Sequence, residues 1–386
     1  MSSLPLHVYQ QKAIQHIQTH SRCAIFASMG SGKTRICLEA ITQFPVLVVA
    51  PLRVAKSVWP DEVNKWKPDK KCVVINGSPQ KRLEILNSQA DIYTINFENL
   101  MWLEKTGLAS KFETIIVDES SKLRGFRIQR GTKNIAALRR LDKAKQFIEL
   151  TGTPAPQGIV DLYGQLHFLD NGHRLGRTWQ AFTSRFFNSV LMPGGYTKLT
   201  PYPKSFNLVT NLIKDICLTI DVKDYMDIDE PIKTVVPVEL PEKVMAKYKE
   251  FEKEMVLELE KNVVTAMTAA ALTNKCLQIT SGFVYNEGKD PLKVHEEKLL
   301  ALDDILEEWS HRPIIVVYWF KESLKLLQSR YPQGKVLTDP KDWNAAGLDR
   351  AVHLYFLTAK NTIDEKVLKV LDGKATIQST LLENLK

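Results

Sequence analysis

Near the N-terminus, Ala27-Ser-Met-Gly-Ser-Gly-Lys-Thr34 sets two glycines, a lysine and a threonine in the order that wraps a phosphate chain. Gly30 and Gly32 can take backbone angles that aim successive N–H groups at phosphate oxygens. The next residues, TRICLEAI, predict a helix whose positive end adds to that attraction. The candidate nucleotide cradle is therefore Met29, Gly30, Ser31, Gly32, Lys33 and Thr34, with Lys33 as a point charge at the β and γ phosphates. Thr34 would ligate Mg²⁺ through its hydroxyl. The plainer alternative is a glycine-rich turn with an unrelated lysine. The strand-type CAIFA before the turn and the helix after it favour the cradle.

A second constellation lies downstream in TIIVDESSK, where an apolar run carries Asp118 and Glu119 to its C-terminal end. Ligands of parallel sheets collect at that end. Asp118 would hold Mg²⁺, and Glu119 would orient and deprotonate an attacking water. Two adjacent carboxylates stay ionised together only opposite positive charge, which Mg²⁺ and Lys33 would supply. By itself, a strand ending in Asp-Glu reads equally as a solvated turn; behind a phosphate cradle it reads as the catalytic half of an ATP site.

These groups need a scaffold that brings strand ends together. CAIFA, VLVVA, CVVIN, DIYTIN, TIIVDES and QFIELTGT alternate with longer amphipathic stretches, which predicts a parallel sheet flanked by helices, an α/β fold. MPGGYTKLTPYP, near residues 192–203, crowds Pro, Gly and aromatics and marks a boundary. We expect three segments: 1–195, a mainly helical bridging segment 196–290, and a shortened second lobe 291–386. In the bridging segment Val244, Tyr248, Phe251, Met255 and Leu259 recur at helical spacing after Pro241. In the last segment PIIVVYWF and KVLTD read as strands between helices.

Composition narrows the partners. The 386 residues carry a net charge of +8, and it is lopsided: residues 1–190 hold 26 Lys+Arg against 15 Asp+Glu, and residues 191–386 hold 26 against 29. The N-terminal half is the one suited to a polyanion. The stretch 120–145 holds nine basic residues against the single acid Asp142. Either a polyanion faces that run or it is a solvated helix face. Arg53, Lys56, Lys122, Arg124 and Arg127 are the candidate DNA contacts, the first four because they follow strand ends. Trp59, Trp66 and Trp102 read as packing residues rather than base platforms. No apolar run approaches the ~20 residues that span a bilayer, no secretory leader is evident, and the five cysteines lack disulfide or zinc spacing. We therefore expect a protein of the cytoplasm, with no membrane partner and buried thiols.

At this point the residues resemble a known family. ASMGSGKT, DESS and TGTPAPQGIVDLYGQLHFL are similar to motifs I, II and III of superfamily 2 helicases, specifically SWI/SNF-type ATPases and their short phage and bacterial forms. LPLHVYQQKAI resembles the glutamine motif, which implies that Gln10 reads adenine; His7 stands where the family has arginine. VLVVAPLRVAKSVWPDEVNKW and DIYTINFENL resemble motifs Ia and Ib, and PIIVVYWFKESLKLL resembles motif IV. The resemblance implies two RecA-like lobes, the second shortened, with ATP and Mg²⁺ as cofactors. It also implies an ATP-dependent helicase or translocase on double-stranded DNA, acting in a bacterial host's cytoplasm if phage-encoded. Thr151 and Thr153 would relay the nucleotide state to the DNA side. The counterparts of motifs V and VI, the latter with its two arginines, are missing between DWNAAG and LDRAVHLYFL. An ATP-binding DNA clamp with weak or no hydrolysis therefore stays open, as does the motor subunit of a nuclease or recombination complex.

Overall fold

The computed structural model describes residues 5–28, 30–126, 133–192, 197–221, 224–225, 232–260, 266–286, 288, 290–309, 314–337 and 353–385. Two units divide the chain: Met1–Val190 with Lys198–Asp227 and Lys374–Lys386, and Leu191–Thr197 with Ile228–Gly373.

The first unit is built on alternating helices and strands: α1 (Val8–Thr19), β1 (Arg22–Ala27), α2 (Lys33–Ala40), β2 (Val46–Ala50), α3 (Trp59–Trp66), β3 (Cys72–Val74), α4 (Pro79–Asn87), β4 (Ile92–Asn96), α5 (Leu100–Thr106), β5 (Thr114–Asp118), α6 (Lys133–Leu141) and β6 (Gln146–Thr151). After α7 (Leu162–Asp170), α8 (Trp179–Phe186), β7 (Phe187–Leu191), β8 (Thr197–Pro201) and α9 (Ser205–Ile213) comes β9 (Cys217–Ile220). Seven strands form one sheet in the order β3-β4-β2-β5-β6-β1-β9, all parallel. Residues on β2, β4 and β5 are buried throughout, because helices cover both faces of the sheet. Side chains alternate between two cores: Ala24, Phe26, Leu47 and Val49 enter one, while Cys23, Ile25, Val46 and Val48 enter the other.

This order explains how distant motifs meet. β5, β6 and β1 are neighbours, so Asp118 lies opposite Leu150 and Phe26 opposite Thr151. The C-terminal ends of three consecutive strands then lie within about 10 Å, two inter-strand spacings.

The expectation for the bridging segment changes. Residues 196–290 are not simply helical, because β9 pairs with β1 as an edge strand of the sheet, and β10 (Ile232–Val238) and β11 (Phe283–Tyr285), whose hairpin partner β12 (Pro291–Lys293) follows just beyond, also fall there. The helix anticipated after Pro241 is present as α10 (Glu242–Glu260), followed by α11 (Ala266–Thr280).

In the second unit, α12 (Glu297–Glu308), α13 (Lys321–Arg330), β13 (His353–Ala359) and the C-terminal helix Ile363–Leu385 as far as Gly373 follow. Among the described residues its parallel sheet has two strands, β10 and β13, in register from Ile232 opposite His353 to Val238 opposite Ala359. Leu240, Val244, Tyr248, Cys276, Ile279, Ala359 and Ile363 form its core. Residues 314–318, expected as a strand, have no regular structure, and Val317 and Trp319 are 85% and 84% exposed. Strand propensity is expressed only against a neighbouring strand, and among the described residues none pairs with them. Residues 335–337 likewise form no strand. Residues 344–350, where the break in motif pattern falls, lie outside the described residues.

Among the described residues no helix is long and apolar enough to cross a membrane. All five cysteines are free, four of them buried. Burial pushes the Cys23 and Cys72 thiols up to about 12.

Candidate nucleotide and cation site

The glycine loop leaves β1 at Ala27, where Ser28 N–H donates to Ile220 O at 3.2 Å. Gly30 (φ 80°) and Gly32 (φ 76°) both lie in the left-handed region that favours glycine. A Cβ on Gly32 would also stand 2.7 Å from Gln10 Nε2. Gly32 is the N-cap of α2, so the N–H groups of Lys33 and Thr34 open the helix at its positive end. Lys33 Nζ donates to Ala27 O (2.8 Å) and Ser28 O (3.1 Å), which ties the loop's two ends together. Among the described residues, buried Ser31 Oγ has no hydrogen-bond partner. A buried hydroxyl left unsatisfied favours a polar ligand that would bond it. Met29 lies outside the described residues.

Gln10 reaches this loop from α1. Its Nε2 donates to Ser31 O (3.2 Å) and its Oε1 accepts from His7 N–H (3.0 Å). His7 thus contributes its backbone here, and its ring stacks on Tyr9 at 5.4 Å.

Asp118 ends β5, buried, with Oδ2 accepting from Trp59 Nε1 at 2.9 Å and Oδ1 accepting from Glu119 N–H at 3.1 Å. Burial raises its pKa; the Trp59 indole, Lys33 and the Glu119 amide pull the other way without cancelling that. Glu119 is raised by burial and then by the charge of Asp118, against Lys33, Thr151 and Lys122. Lys33 in turn is lowered by burial, while Asp118 and Glu119 raise it. The lysine and both carboxylates therefore share one field, and the lysine alone leaves the acid pair under-compensated. Glu119 adopts φ 60°, ψ 53°, a left-handed conformation rare for a residue with a Cβ and characteristic of functional turns.

Thr151, fully buried at the end of β6, donates to Glu119 Oε2 at 3.5 Å and accepts from Thr153 N–H at 3.1 Å. Thr151 thus meets the acid pair directly, and Thr153 is joined to it through Thr151. Two further residues belong to this constellation although sequence reading passed over their role. Trp59, fully buried, positions Asp118. Gln165, also buried, accepts from Ser120 Oγ (3.0 Å) and donates to Pro154 O (2.7 Å) and Asp161 O (3.1 Å). It wires the turn after Glu119 to the turn after Thr153. Neither announces itself by local spacing, since the partners lie 59 and 45 residues away.

Arg53 and Lys56 are exposed beside a π-helical turn, Val54–Val58, just beyond β2; Lys122 and Arg124 are exposed in the 3₁₀ segment Ser120–Gly125 just beyond β5. β2 and β5 are neighbours, so the four cations share the edge of the sheet that carries the acid pair. Arg127 lies outside the described residues. Of the two readings of the basic run, three ion pairs bear on its later part: Arg139 meets Asp142 (3.3 Å), Arg140 meets Glu104 (2.8 Å) and Lys145 meets Glu113 (2.8 Å). Carboxylates pair with those three cations, two of them from elements distant in sequence, and Asp142 is shared with Arg22. Trp66 and Trp102 pack under guanidinium groups, with Arg35 at 3.9 Å and Arg82 at 4.6 Å from their ring centres.

The donor set fits Mg²⁺. That cation takes hard oxygen ligands, one or two carboxylates with waters and phosphates completing the shell. Asp118 and the Thr34 hydroxyl are such donors, and the under-compensated acid pair favours a cation beside it.

Comparisons with known proteins point in one direction. Residues 4–281 match the SNF2-related domain family. Protein p41 of Acyrthosiphon pisum secondary endosymbiont phage 1 is 36% identical, with 98% of each chain covered. The 450 aligned positions exceed the chain's 386 residues by 64, so at least that many positions of the phage protein stand opposite a gap. The SWI/SNF-related matrix-associated actin-dependent regulator of chromatin subfamily A-like protein 1 of Xenopus tropicalis is 26% identical over 299 residues, 74% of this chain but 27% of its own length. The chain thus spans about a quarter of that relative. The solved Sulfolobus solfataricus SWI2/SNF2 ATPase core in complex with dsDNA shares the fold with a TM-score of 0.50 at 19% identity, over 98% of this chain and 93% of that one.

Proposed function

The chain belongs to the SNF2-related family, and from that premise we propose that it is an ATP hydrolase whose cycle drives movement along double-stranded DNA. The observation that carries this reading is the convergence of Lys33, Asp118, Glu119 and Thr151 at adjoining strand ends. ATP lies with its phosphates over the amides of residues 30–34. Lys33 exchanges its contacts with Ala27 O and Ser28 O for the β and γ phosphates, which a three-donor ammonium on a flexible stem can do. Thr34 and Asp118 would hold Mg²⁺, which would neutralise phosphate charge when bound. Trp59 keeps Asp118 oriented. Glu119, its pKa raised by burial, aligns the attacking water and accepts its proton. Thr151 senses the protonation of Glu119 through their shared hydrogen bond. Thr153 and Gln165 carry that change into the following turns. Gln10 reads the adenine edge, and Arg53, Lys56, Lys122 and Arg124 hold DNA phosphates, as does Arg127.

Two observations favour a second reading. The 64 or more positions that the phage relative has and this chain lacks, with the exposed strand-type run 314–318, favour an ATP-gated DNA clamp that hydrolyses slowly. Phosphate release with and without duplex DNA, beside displacement of a third strand from a triplex, separates the two. Release stimulated by DNA with displacement supports the motor. Tight ATP and DNA binding with neither supports the clamp, and absence of ATP binding defeats both.

A further inference from the structure

β9 leaves the sheet beside the glycine loop: Ile220 lies opposite Ala27, and its carbonyl accepts the amide of Ser28. Five residues on, Tyr225 packs against Tyr9 of α1, ring centres 5.2 Å apart and tilted by 48°. Tyr9 is itself stacked on His7 at 5.4 Å and 7°. The three rings form a row that starts at the residue before Gln10's helix and ends at Tyr225. Tyr9 is buried within it, whereas Tyr225 is 43% exposed. Lys12 Nζ lies 5.8 Å from the Tyr225 ring centre and helps hold it.

Next to this row, Gln10 has spent half of its hydrogen-bonding capacity. One N–H goes to Ser31 O and one Oε1 lone pair takes the His7 amide, leaving one donor and one acceptor. Adenine offers the complementary pair, an N6 donor beside an N7 acceptor, whereas guanine offers two acceptors there. A base aligned with that edge needs a flat apolar surface against its face, and Tyr225 is an exposed ring packed on Tyr9, the residue before Gln10.

We infer that Tyr225 is the stacking platform for the nucleotide base, so that α1 reads the edge of the base and the segment after β9 holds its face. This rests on the nucleotide reading of the glycine loop, and it adds a residue that none of the family's motifs contains. Its consequence is that the segment following the last strand of the first sheet sets base affinity, not phosphate affinity.

The test uses the full chain with Mg²⁺ and measures affinity for ATP, GTP and inorganic tripolyphosphate. Base–aromatic stacking predicts that Tyr225→Ala weakens ATP by about tenfold and leaves tripolyphosphate unchanged, with Tyr225→Phe restoring ATP affinity. Unchanged tripolyphosphate binding also certifies that the variant is folded. ATP affinity unchanged in Tyr225→Ala, or equal losses for ATP and tripolyphosphate, overturns the platform. Lys33→Ala distinguishes the two levels: if it leaves ATP binding intact, the nucleotide reading itself falls, whereas if it abolishes binding while Tyr225→Ala has no effect, the platform alone falls.

Discussion

Replacing Trp59 by phenylalanine removes one donor from Asp118 while keeping an aromatic ring in the core. The indole N–H reaches Asp118 Oδ2 at 2.9 Å inside the protein, with the tryptophan fully buried. A hydrogen bond to a charged acceptor in such a setting contributes about 1.5–3 kcal/mol, which corresponds to roughly a 10- to 150-fold change in the ionisation equilibrium of the acid. The sign follows from which form the donor favours. An N–H stabilises the carboxylate, so its loss moves Asp118 further in the direction burial already pushes it, toward the protonated acid. Protonated Asp118 cannot hold the cation. Mg²⁺-dependent ATP binding, followed against pH in wild type and Trp59→Phe, should therefore show an acid limb displaced upward by about one pH unit or more. The two curves should converge at higher pH, where Asp118 is ionised in both, and convergence there also shows that the smaller ring has not collapsed the site. Coincident acid limbs in a folded variant would refute the role assigned to Trp59.

Glu119→Gln should keep ATP affinity and stop phosphate release, since the amide holds the water but cannot take its proton; single-turnover release at the wild-type rate would remove Glu119 from the mechanism. Alanine at Arg53, Lys56, Lys122 and Arg124 should make the slope of log affinity against log salt for duplex DNA shallower, by roughly 0.9 for each phosphate that is no longer neutralised. Arg140→Ala, whose guanidinium is already committed to Glu104, should leave that slope unchanged, and equal slopes for both variants would show that the sheet-edge cations do not touch DNA.

Much of the first unit was legible in sequence because its signals are local. All six anticipated strands formed, each a short β-branched or aromatic run closed by a turn, and the cradle and the acid pair landed at strand ends as their spacing required. What escaped depends on contacts between distant segments. β9 is four residues long and becomes a strand only by pairing with β1. Trp59 reads as packing until Asp118 is placed beside its indole nitrogen. The basic run looks self-repelling until Glu104 and Glu113 arrive from other elements. The opposite failure is Ile315-Val-Val-Tyr318, whose composition says strand and whose exposure says that no partner strand among the described residues covers it. Local propensity cannot supply that partner.

Calorimetric titration of ATP with Mg²⁺ into wild type and Lys33→Ala tests the account most directly. Saturable binding to the wild type, lost or reduced by orders of magnitude in a folded Lys33→Ala, is the result it predicts. Equal binding by the two proteins, or none by the wild type, would contradict the claim that the glycine loop and the acid pair form one nucleotide site.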